Sequence, residues 1–380
     1  MGRRGQAALA AGVTGLALVS GPLAHASAVP ISPVGAVSAG LVVGHRGASG
    51  YRPEHTLAAY ELAVRQGADF IEPDLVSTSD HVLVCLHDVE LSQTTDVADH
   101  PELADRRTTK EVNGRSQTGW FVEDLTLAEV KTLRVKERLS QLRPENTAYD
   151  GKYEVPTFAE VLALRASLAA ETGRKVGIYP ELKLPSHFRG VGLPLEPVFA
   201  EQLRAAGLDS ATAPVFVQSF EPTSLRRLKA DLGVRARLTF LTCPSGAPYD
   251  LASSGDPRSY ADLNTATGLA WLSGFVSVVA ADQVQVIPRR ADGRLGVVTA
   301  LPARVRAAGL RLHVYALRSE NTFLPLDYRV GTDPAADGRA TQLDAVYFRA
   351  GADALFCDQP DLCVAARKGL PVKRTYDPRR

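Results

Sequence analysis

Residues 42–75 read VVGHRGASGYRPEHTLAAYELAVRQGADFIEPDL, a pattern of strand, helix and strand. The first apolar run ends at His45 and Arg46, and the second ends at Glu72 and Asp74. Ionisable side chains therefore follow both apolar runs directly. Because the carboxyl ends of parallel strands meet at one edge of a sheet, this arrangement predicts a functional site there.

The same pattern continues along the chain. Short apolar runs alternate with helical patterns, several of which stop at a glycine. The runs cover residues 41–45, 69–75, 82–88, 175–183, 214–220, 235–241, 275–281, 311–317 and 352–358. Such alternation predicts a parallel sheet covered by helices, in either a doubly wound sheet or a closed (β/α)8 barrel.

The positions of the polar residues favour the barrel. His45, Glu72, His87, Glu181 and Lys183 lie at or near the ends of four different runs. An open sheet collects its ligands at one switch point, whereas a barrel collects residues from many strand ends around one mouth. We therefore predict a single (β/α)8 TIM-type barrel. Nine runs exceed eight barrel strands by one, and we expect the extra run to lie between residues 235 and 317.

A long connection follows the third run, from about residue 90 to residue 156. Connections of this length are uncommon in compact domains and are frequently functional. We expect an insertion that covers or shapes the site.

The N-terminus predicts an exported protein. Arg3 and Arg4 precede a mildly apolar run, and Ala24-His25-Ala26 matches the small-x-small rule for signal-peptide cleavage. The expected organisation is a signal peptide over 1–26, a linker over 27–40, the barrel domain over 41–370 and a tail over 371–380. Because secreted proteins form disulfides, we expect one local bridge between Cys357 and Cys363.

Charge excludes some classes of partner. The 380 residues carry 43 basic and 42 acidic side chains, for a formal net charge of +1. This balance gives no field that would attract nucleic acid, and the apolar N-terminal run is too short for a membrane span. We therefore expect no nucleic-acid partner and no stable membrane insertion. Of the remaining cysteines, Cys85 and Cys243 are expected to be buried thiols.

Three carboxylates are predicted to meet at the barrel mouth. Side chains two apart share a strand face, which places Glu72 with Asp74 and Glu181 with Lys183. Glu72, Asp74 and Glu181 would repel one another unless a cation compensates. Oxygen ligands favour a hard divalent ion, so we expect Ca²⁺, with Mg²⁺ as the alternative.

Two further groups indicate the chemistry. His45 and His87 are suited to general acid and base catalysis near neutral pH. Arg46 and Lys183 supply cationic donors of the kind that bind phosphate. A metal, phosphate donors and two imidazoles together favour phosphoester hydrolysis.

The motifs HRGASGYRPEHT, GADFIEPDL, VLVCLHDVELSQTTDV, YPELK, VQSF and LFCDQPD resemble, in this order, those of the glycerophosphodiester phosphodiesterase family. The resemblance covers residues 45–361, and the chain is most similar to the exported bacterial branch of the family. It implies a barrel enzyme that releases glycerol 3-phosphate and an alcohol. It also implies acid and base roles for His45 and His87, metal ligation by Glu72, Asp74 and Glu181, a phosphate contact for Arg46 and a supporting role for Glu54.

Other positions are open on the sequence alone. His55 is interpreted as a loop residue and Thr56 as the N-cap of the following helix. Lys183 matches the family motif, whereas either Gln218 or Phe220 could face the substrate. Tyr315 could line a glycerol site or pack in the core.

Alternative functions remain at this stage. The nucleophile could be the glycerol 2-hydroxyl, which gives a cyclic phosphate, or water. The expected substrate is a small glycerophosphodiester, and the alternatives are a cell-wall polymer such as teichoic acid or an intact phospholipid. A rival from another class is a secreted binding protein on a barrel without activity.

Overall fold

The computed structural model describes residues 40–369. The predicted signal peptide, the linker up to residue 39 and the predicted tail lie outside these residues. In the described part of the chain, no helix has the length and apolar character that crossing a membrane requires.

The strands build one large sheet and a separate hairpin within residues 40–369. Their bounds are β1 (Leu41–His45), β2 (Phe70–Glu72), β3 (Asp74–Ser77), β4 (Leu83–Cys85), β5 (Thr108–Val112), β6 (Arg115–Gly119), β7 (Gly177–Ile178), β8 (Glu181–Leu182), β9 (Phe216–Ser219), β10 (Arg237–Thr242), β11 (Val278–Asp282), β12 (Arg311–Leu317) and β13 (Ala354–Cys357).

The large sheet closes into an eight-stranded parallel barrel. Strand β1 pairs with β2 and with β13, and parallel pairing runs without a break from β8 through β9 to β13. β2 continues into β3 after Pro73, and β7 continues into β8 after Pro180, so each couple forms one barrel strand. β2 pairs with β7 and β3 pairs with β8, which completes the ring. The predicted (β/α)8 barrel is confirmed.

The prolines explain why two predicted runs are interrupted. A proline has no backbone N–H and cannot donate to a sheet ladder. The carbonyl groups of Pro73 and Pro180 still accept bonds from Glu181 and Gln218. The strands therefore stay in register across the interruption, and Glu72 and Asp74 remain on neighbouring strand segments.

The helices cover the outside of the barrel and its connections. Their bounds are α1 (Leu57–Arg65), α2 (Leu127–Val130), α3 (Phe158–Thr172), α4 (Pro185–Gly190), α5 (Leu195–Ala205), α6 (Pro222–Ala230), α7 (Tyr249–Ser253), α8 (Tyr260–Leu263), α9 (Ala266–Ser273), α10 (Gln283–Val286), α11 (Leu301–Ala307), α12 (Ala340–Arg349) and α13 (Pro360–Lys368). Thr56 caps α1 by accepting a bond from the backbone of Ala59, which confirms the predicted N-cap.

The identity of the extra strand was predicted wrongly. β4, from the run at residues 82–88, pairs antiparallel with β3 and is not a barrel strand. All the runs between 235 and 317 belong to the barrel. The reason is the short connection between β3 and β4, because a parallel crossover needs a dozen or more residues. Thr78 closes this turn through bonds to Asp80 and to the backbone of Val82.

The insertion between β4 and α3 contains ordered structure. It holds the β5–β6 hairpin, α2 and four 3-10 turns, at Val97–Asp99, Pro101–Arg106, Val122–Asp124 and Pro144–Tyr149. Phe121 and Val122 are fully buried against the main core. The insertion is therefore fixed to the barrel by its own apolar side chains.

Cys357 and Cys363 form the expected disulfide, between the end of β13 and the first turn of α13. Cys85 is a buried thiol, as expected. Cys243 is only half-buried because it lies at the end of β10, beside the cavity described below.

Aromatic side chains fill the barrel interior. The rings of Phe70, Tyr179 and Phe216 pack with centroid distances of 5.0 to 6.1 Å. The Tyr179 hydroxyl bonds to Thr239 and to His313, each at 2.8 Å. The interior is thus closely packed below the strand ends, as in other barrels of this class.

Replacement of Phe216 by alanine should destabilise the barrel. The ring is fully buried between neighbouring strands, and such truncations cost about 3 to 5 kcal/mol. Chemical denaturation measures the loss in the free energy of unfolding. Val297→Ala is the control, because Val297 is 83% exposed and should change stability by less than about 0.5 kcal/mol. An equal loss in both variants would contradict the packing described.

Candidate active site

One cavity of about 230 Å³ opens at the carboxyl ends of the barrel strands. It collects all but one of the polar and aromatic residues predicted from the sequence. These residues are His45, Arg46, Glu72, Asp74, His87, Glu181, Lys183, Gln218, Phe220 and Tyr315. Glu54 does not line the cavity but forms an ion pair with Arg46 at 3.0 Å.

Three carboxylates form the centre of this site. Glu72, Asp74 and Glu181 are buried and offer ligand oxygens that all lie within 4.8 Å of one another. Burial and mutual repulsion raise the pKa of Glu72, and burial raises the pKa of Glu181 to about 8. Oxygen donors at this spacing fit a hard divalent cation, which would relieve the repulsion.

Glu72 is held by two neighbours. The backbone N–H of Arg46 donates to one carboxylate oxygen at 2.8 Å, and the Gln218 amide donates to the other at 2.9 Å. Arg46 adopts a left-handed backbone conformation with φ of 59°, which is rare for a residue with a side chain. The side-chain oxygen of Gln218 is buried without a hydrogen-bond partner, which also fits a nearby cation.

Asp74 and Glu181 are each held by a cationic or imidazole group. The His55 ring lies 2.9 Å from Asp74 through Nε2, while its Nδ1 bonds to the Tyr60 hydroxyl. Lys183 donates to Glu181 at 2.9 Å. Although burial raises the pKa of Asp74, the Lys183 charge and the His55 hydrogen bond lower it by more. Asp74 is therefore ionised in the folded protein.

The role of His55 was missed at the sequence level. It is a loop residue before α1, as predicted, but it is also 2% exposed and orients Asp74. Its backbone is left-handed, with φ of 59°. No spacing rule identifies this contact, because the two residues are 19 positions apart and belong to different elements.

Both predicted catalytic histidines are oriented by carboxylates. His45 Nδ1 bonds to Asp358 and His87 Nδ1 bonds to Asp88, each at 2.7 Å. A neutral imidazole that donates through Nδ1 leaves Nε2 as an acceptor. Burial and the Arg46 charge lower the pKa of both rings. The two imidazoles are therefore neutral bases at neutral pH.

Arginines of the insertion complete the second layer of the site. Arg138 bonds to Glu54 and Asp88, and Arg143 bonds to Asp358 at 2.6 Å. No sequence pattern identifies these arginines, because the insertion has no regular periodicity. The insertion therefore holds both of the carboxylates that orient the histidines, Asp88 and Asp358.

The remaining predicted residues form the apolar wall. Phe220 and Tyr315 meet edge to face with ring centroids 6.0 Å apart. The Tyr315 hydroxyl donates to the Thr242 carbonyl at 2.9 Å. Tyr315 lines the cavity and also packs on the barrel interior, whereas its contact with glycerol stays a prediction. Likewise, Gln218 and Phe220 both line the cavity.

Three polar lining residues were not identified from the sequence: Asp282, Gln283 and Arg318. Asp282 ends β11 and caps α10, and Arg318 donates to Asp358 at 3.0 Å. The position of Asp282 at a strand end was an available signal. Arg318 follows the end of β12 by one residue and could have been found in the same way.

Comparison with known proteins agrees with this geometry. The model of the glycerophosphoryl diester phosphodiesterase family matches residues 45–362. Glycerophosphodiester phosphodiesterase GDPD6 of Arabidopsis thaliana is 35% identical over 326 residues, which cover 83% of this chain and 82% of that protein.

Two solved structures show the same fold. A glycerophosphoryl diester phosphodiesterase from Silicibacter pomeroyi superposes with a TM-score of 0.59 at 18% identity, over 87% of this chain and 94% of that chain. A phosphodiesterase from Oleispira antarctica, in complex with the product sn-glycerol-3-phosphate, gives a TM-score of 0.55 at 19% identity, over 86% and 96%. On the family match and the identity to the Arabidopsis protein, the chain belongs to the glycerophosphoryl diester phosphodiesterase family.

Proposed function

We propose that this enzyme hydrolyses glycerophosphodiesters to glycerol 3-phosphate and an alcohol, with a divalent cation and two histidines. The observation that carries the proposal is the single cavity in which two carboxylate-oriented imidazoles flank three clustered carboxylates and two cationic side chains. The relative from Oleispira antarctica binds sn-glycerol-3-phosphate on the same fold, which supports the choice of product.

The cationic side chains bind the phosphate. Arg46 Nε makes no hydrogen bond but lies 3.5 Å from Asp74 Oδ2, and Lys183 lies in the same cavity. Glu54 accepts bonds from Arg46 at 3.0 and 3.1 Å and fixes the direction of the guanidinium. Because Arg46 lines the cavity, its fixed guanidinium is available to the phosphate there, and such charge-assisted bonds are the strong ones.

Glu72, Asp74 and Glu181 would hold the divalent cation, for which we propose Ca²⁺, with Mg²⁺ as the alternative. The bound cation would supply positive charge beside the phosphate in the transition state. His55, Gln218, Lys183 and the Arg46 backbone fix the direction of the three carboxylates.

The histidines move the protons. One neutral imidazole accepts the proton of the nucleophile at Nε2. The other must first take up a proton at Nε2, which it then donates to the leaving alcohol. Asp358 and Asp88 stabilise the imidazolium that forms at His45 or His87, since each accepts the Nδ1 hydrogen bond. The glycerol 2-hydroxyl, by way of a cyclic phosphate, and water are the two nucleophiles that this arrangement serves.

The site of action is proposed from residues 1–26, whose pattern predicts export. An exported enzyme of the bacterial branch would act on diesters outside the cytoplasm. Polymers of glycerol phosphate in a cell wall contain the same diester as the small substrates. They are therefore the second substrate class to assay, after glycerophosphocholine.

Removal of the metal should abolish activity. The mature protein, dialysed against a chelator, should release no glycerol 3-phosphate from glycerophosphocholine, and Ca²⁺ should restore the release. Glu72→Gln should lower kcat by at least the roughly 10- to 100-fold that loss of an outer metal-site partner costs. Glu201→Gln, an exposed carboxylate on α5, is the matched control and should retain full activity. Full activity after chelation would contradict the metal assignment.

The two histidines should be separable by the leaving group. His45→Ala and His87→Ala should each lower kcat for glycerophosphocholine by about 10² to 10⁴, as expected for loss of a general acid or base. The nitrophenyl ester of glycerol 3-phosphate has a leaving group that needs no proton. With this substrate, the kcat of one variant should return towards the wild-type value, and the kcat of the other should stay low. The variant that recovers identifies the acid.

His100→Ala is the control for these variants, since His100 lies in the insertion and bonds to Glu102. It should behave as wild type with both substrates. Recovery of both variants, or of neither, would contradict the division into acid and base.

A further inference from the structure

A second cavity, of about 450 Å³, adjoins the first. The two share Glu181, Lys183 and Phe220 in their linings. A glycerophosphodiester bound in the first cavity carries two groups on its phosphate, the glycerol and the alcohol that is released. The released alcohol needs space beside the phosphate. The shared wall indicates that the leaving alcohol extends into the second cavity.

The insertion supplies one side of this second cavity. The β5–β6 hairpin turns at Asn113 and Gly114, which have φ values of 46° and 75°. An Asn-Gly pair is strongly favoured in such two-residue turns because both residues tolerate positive φ. The turn reaches the ring of Tyr249 on α7, which lies 3.9 Å from the position of a Cβ on Gly114. The hairpin tip therefore closes the cavity opposite α7.

Most of the wall is apolar and aromatic. Phe220 and Tyr260 meet edge to face with ring centroids 6.4 Å apart. Tyr249, Leu184 and Pro185 add to this surface. Such a wall excludes water and suits the carbon chain of an alcohol or the face of a cation.

Glu221 is the carboxylate of this lining that the first cavity does not share. It is 3% exposed, and one of its oxygens accepts bonds from the backbone and the hydroxyl of Ser186, at 2.9 and 2.5 Å. The other oxygen, Oε1, is buried and has no hydrogen-bond partner. Burial raises the pKa of Glu221 to about 7, and the Asp250 charge adds to the shift. A buried acceptor without a partner is costly unless a ligand supplies the donor.

The neighbouring cations do not neutralise this oxygen. Lys183 is paired with Glu181 at 2.9 Å, and the nearest Arg189 nitrogen is 3.9 Å from the other Glu221 oxygen. Arg115 lies at the exposed edge of the cavity, where solvent screens its charge. The unmatched group inside the cavity is therefore an acceptor that favours a positively charged donor.

We propose that the second cavity is the leaving-group site and selects a primary amino alcohol, whose ammonium donates to Glu221 while its carbons contact Phe220 and Tyr260. This inference rests on the proposed function. In the reaction the bond between phosphorus and the amino alcohol oxygen breaks. The amino alcohol departs with a proton, and the elements of water end on glycerol 3-phosphate and the alcohol.

Three substrates with the same glycerol phosphate half test the inference. Glycerophosphoethanolamine carries a primary ammonium, glycerophosphoglycerol carries hydroxyls, and glycerophosphocholine carries a cation that cannot donate a hydrogen bond. Wild type should show the highest kcat/KM for glycerophosphoethanolamine. Glu221→Gln keeps the shape of the side chain and removes its charge. It should lower the ratio of kcat/KM for glycerophosphoethanolamine to that for glycerophosphoglycerol by about 10-fold, the value of one charge-assisted hydrogen bond.

A second variant guards against a folding defect at Glu221. Tyr249 is only half-buried, so Tyr249→Leu retains the apolar volume and removes the aromatic face. It should lower the same ratio by about 2- to 5-fold through the lost interaction between ring and cation. Glu201→Gln is the charge-matched control on the surface and should leave the ratio unchanged. Thermal unfolding of each variant checks that the barrel is intact.

The outcomes separate this inference from the proposed function. An equal loss for both substrates in Glu221→Gln, or a wild-type preference for glycerophosphocholine, would overturn the ammonium site while activity itself stands. Failure of wild type, supplied with metal, to release glycerol 3-phosphate from any of the three would overturn the proposed function and this inference with it. A falling ratio in both variants supports the site.

Discussion

The repulsion among three buried carboxylates is the constraint on which the site depends. Glu72, Asp74 and Glu181 are brought within 4.8 Å by adjacent barrel strands, in a place where water cannot screen them. Such a cluster is stable only if cations and donors surround it. Four groups in direct contact with the carboxylates satisfy this need. They are Lys183, His55, the Arg46 backbone N–H and the Gln218 amide.

The outer layer connects the barrel to the insertion. Arg138 contacts Glu54 and Asp88, while Arg143 contacts Asp358 and Glu320. Each carboxylate that orients a catalytic histidine thus also bonds to an arginine of the insertion. The orientation of the imidazoles therefore depends on a segment outside the barrel pattern. A change in the insertion would reach the chemistry through these arginines, without contact with substrate.

Sequence reasoning succeeded where one physical rule fixes the position. The period-two alternation of strands placed Glu72 with Asp74 and Glu181 with Lys183, and the structure brings all four into one cavity. It failed where contacts are made between distant segments, as for His55 with Asp74 or Arg143 with Asp358. It also failed at β4, although the five-residue connection after β3 is too short for a parallel crossover. The length of the gap between two apolar runs therefore decides whether the second run can be a parallel barrel strand.

The bond between His45 and Asp358 joins residues 313 positions apart, on β1 and just after β13. The first barrel strand can find its second neighbour only when the last strand has been made, since β1 pairs with β13. During synthesis on the ribosome, the nascent chain therefore carries an open barrel edge and an unoriented His45 until β13 and Asp358 have emerged. A product truncated before Asp358 would lack both the last barrel strand and the carboxylate that orients His45.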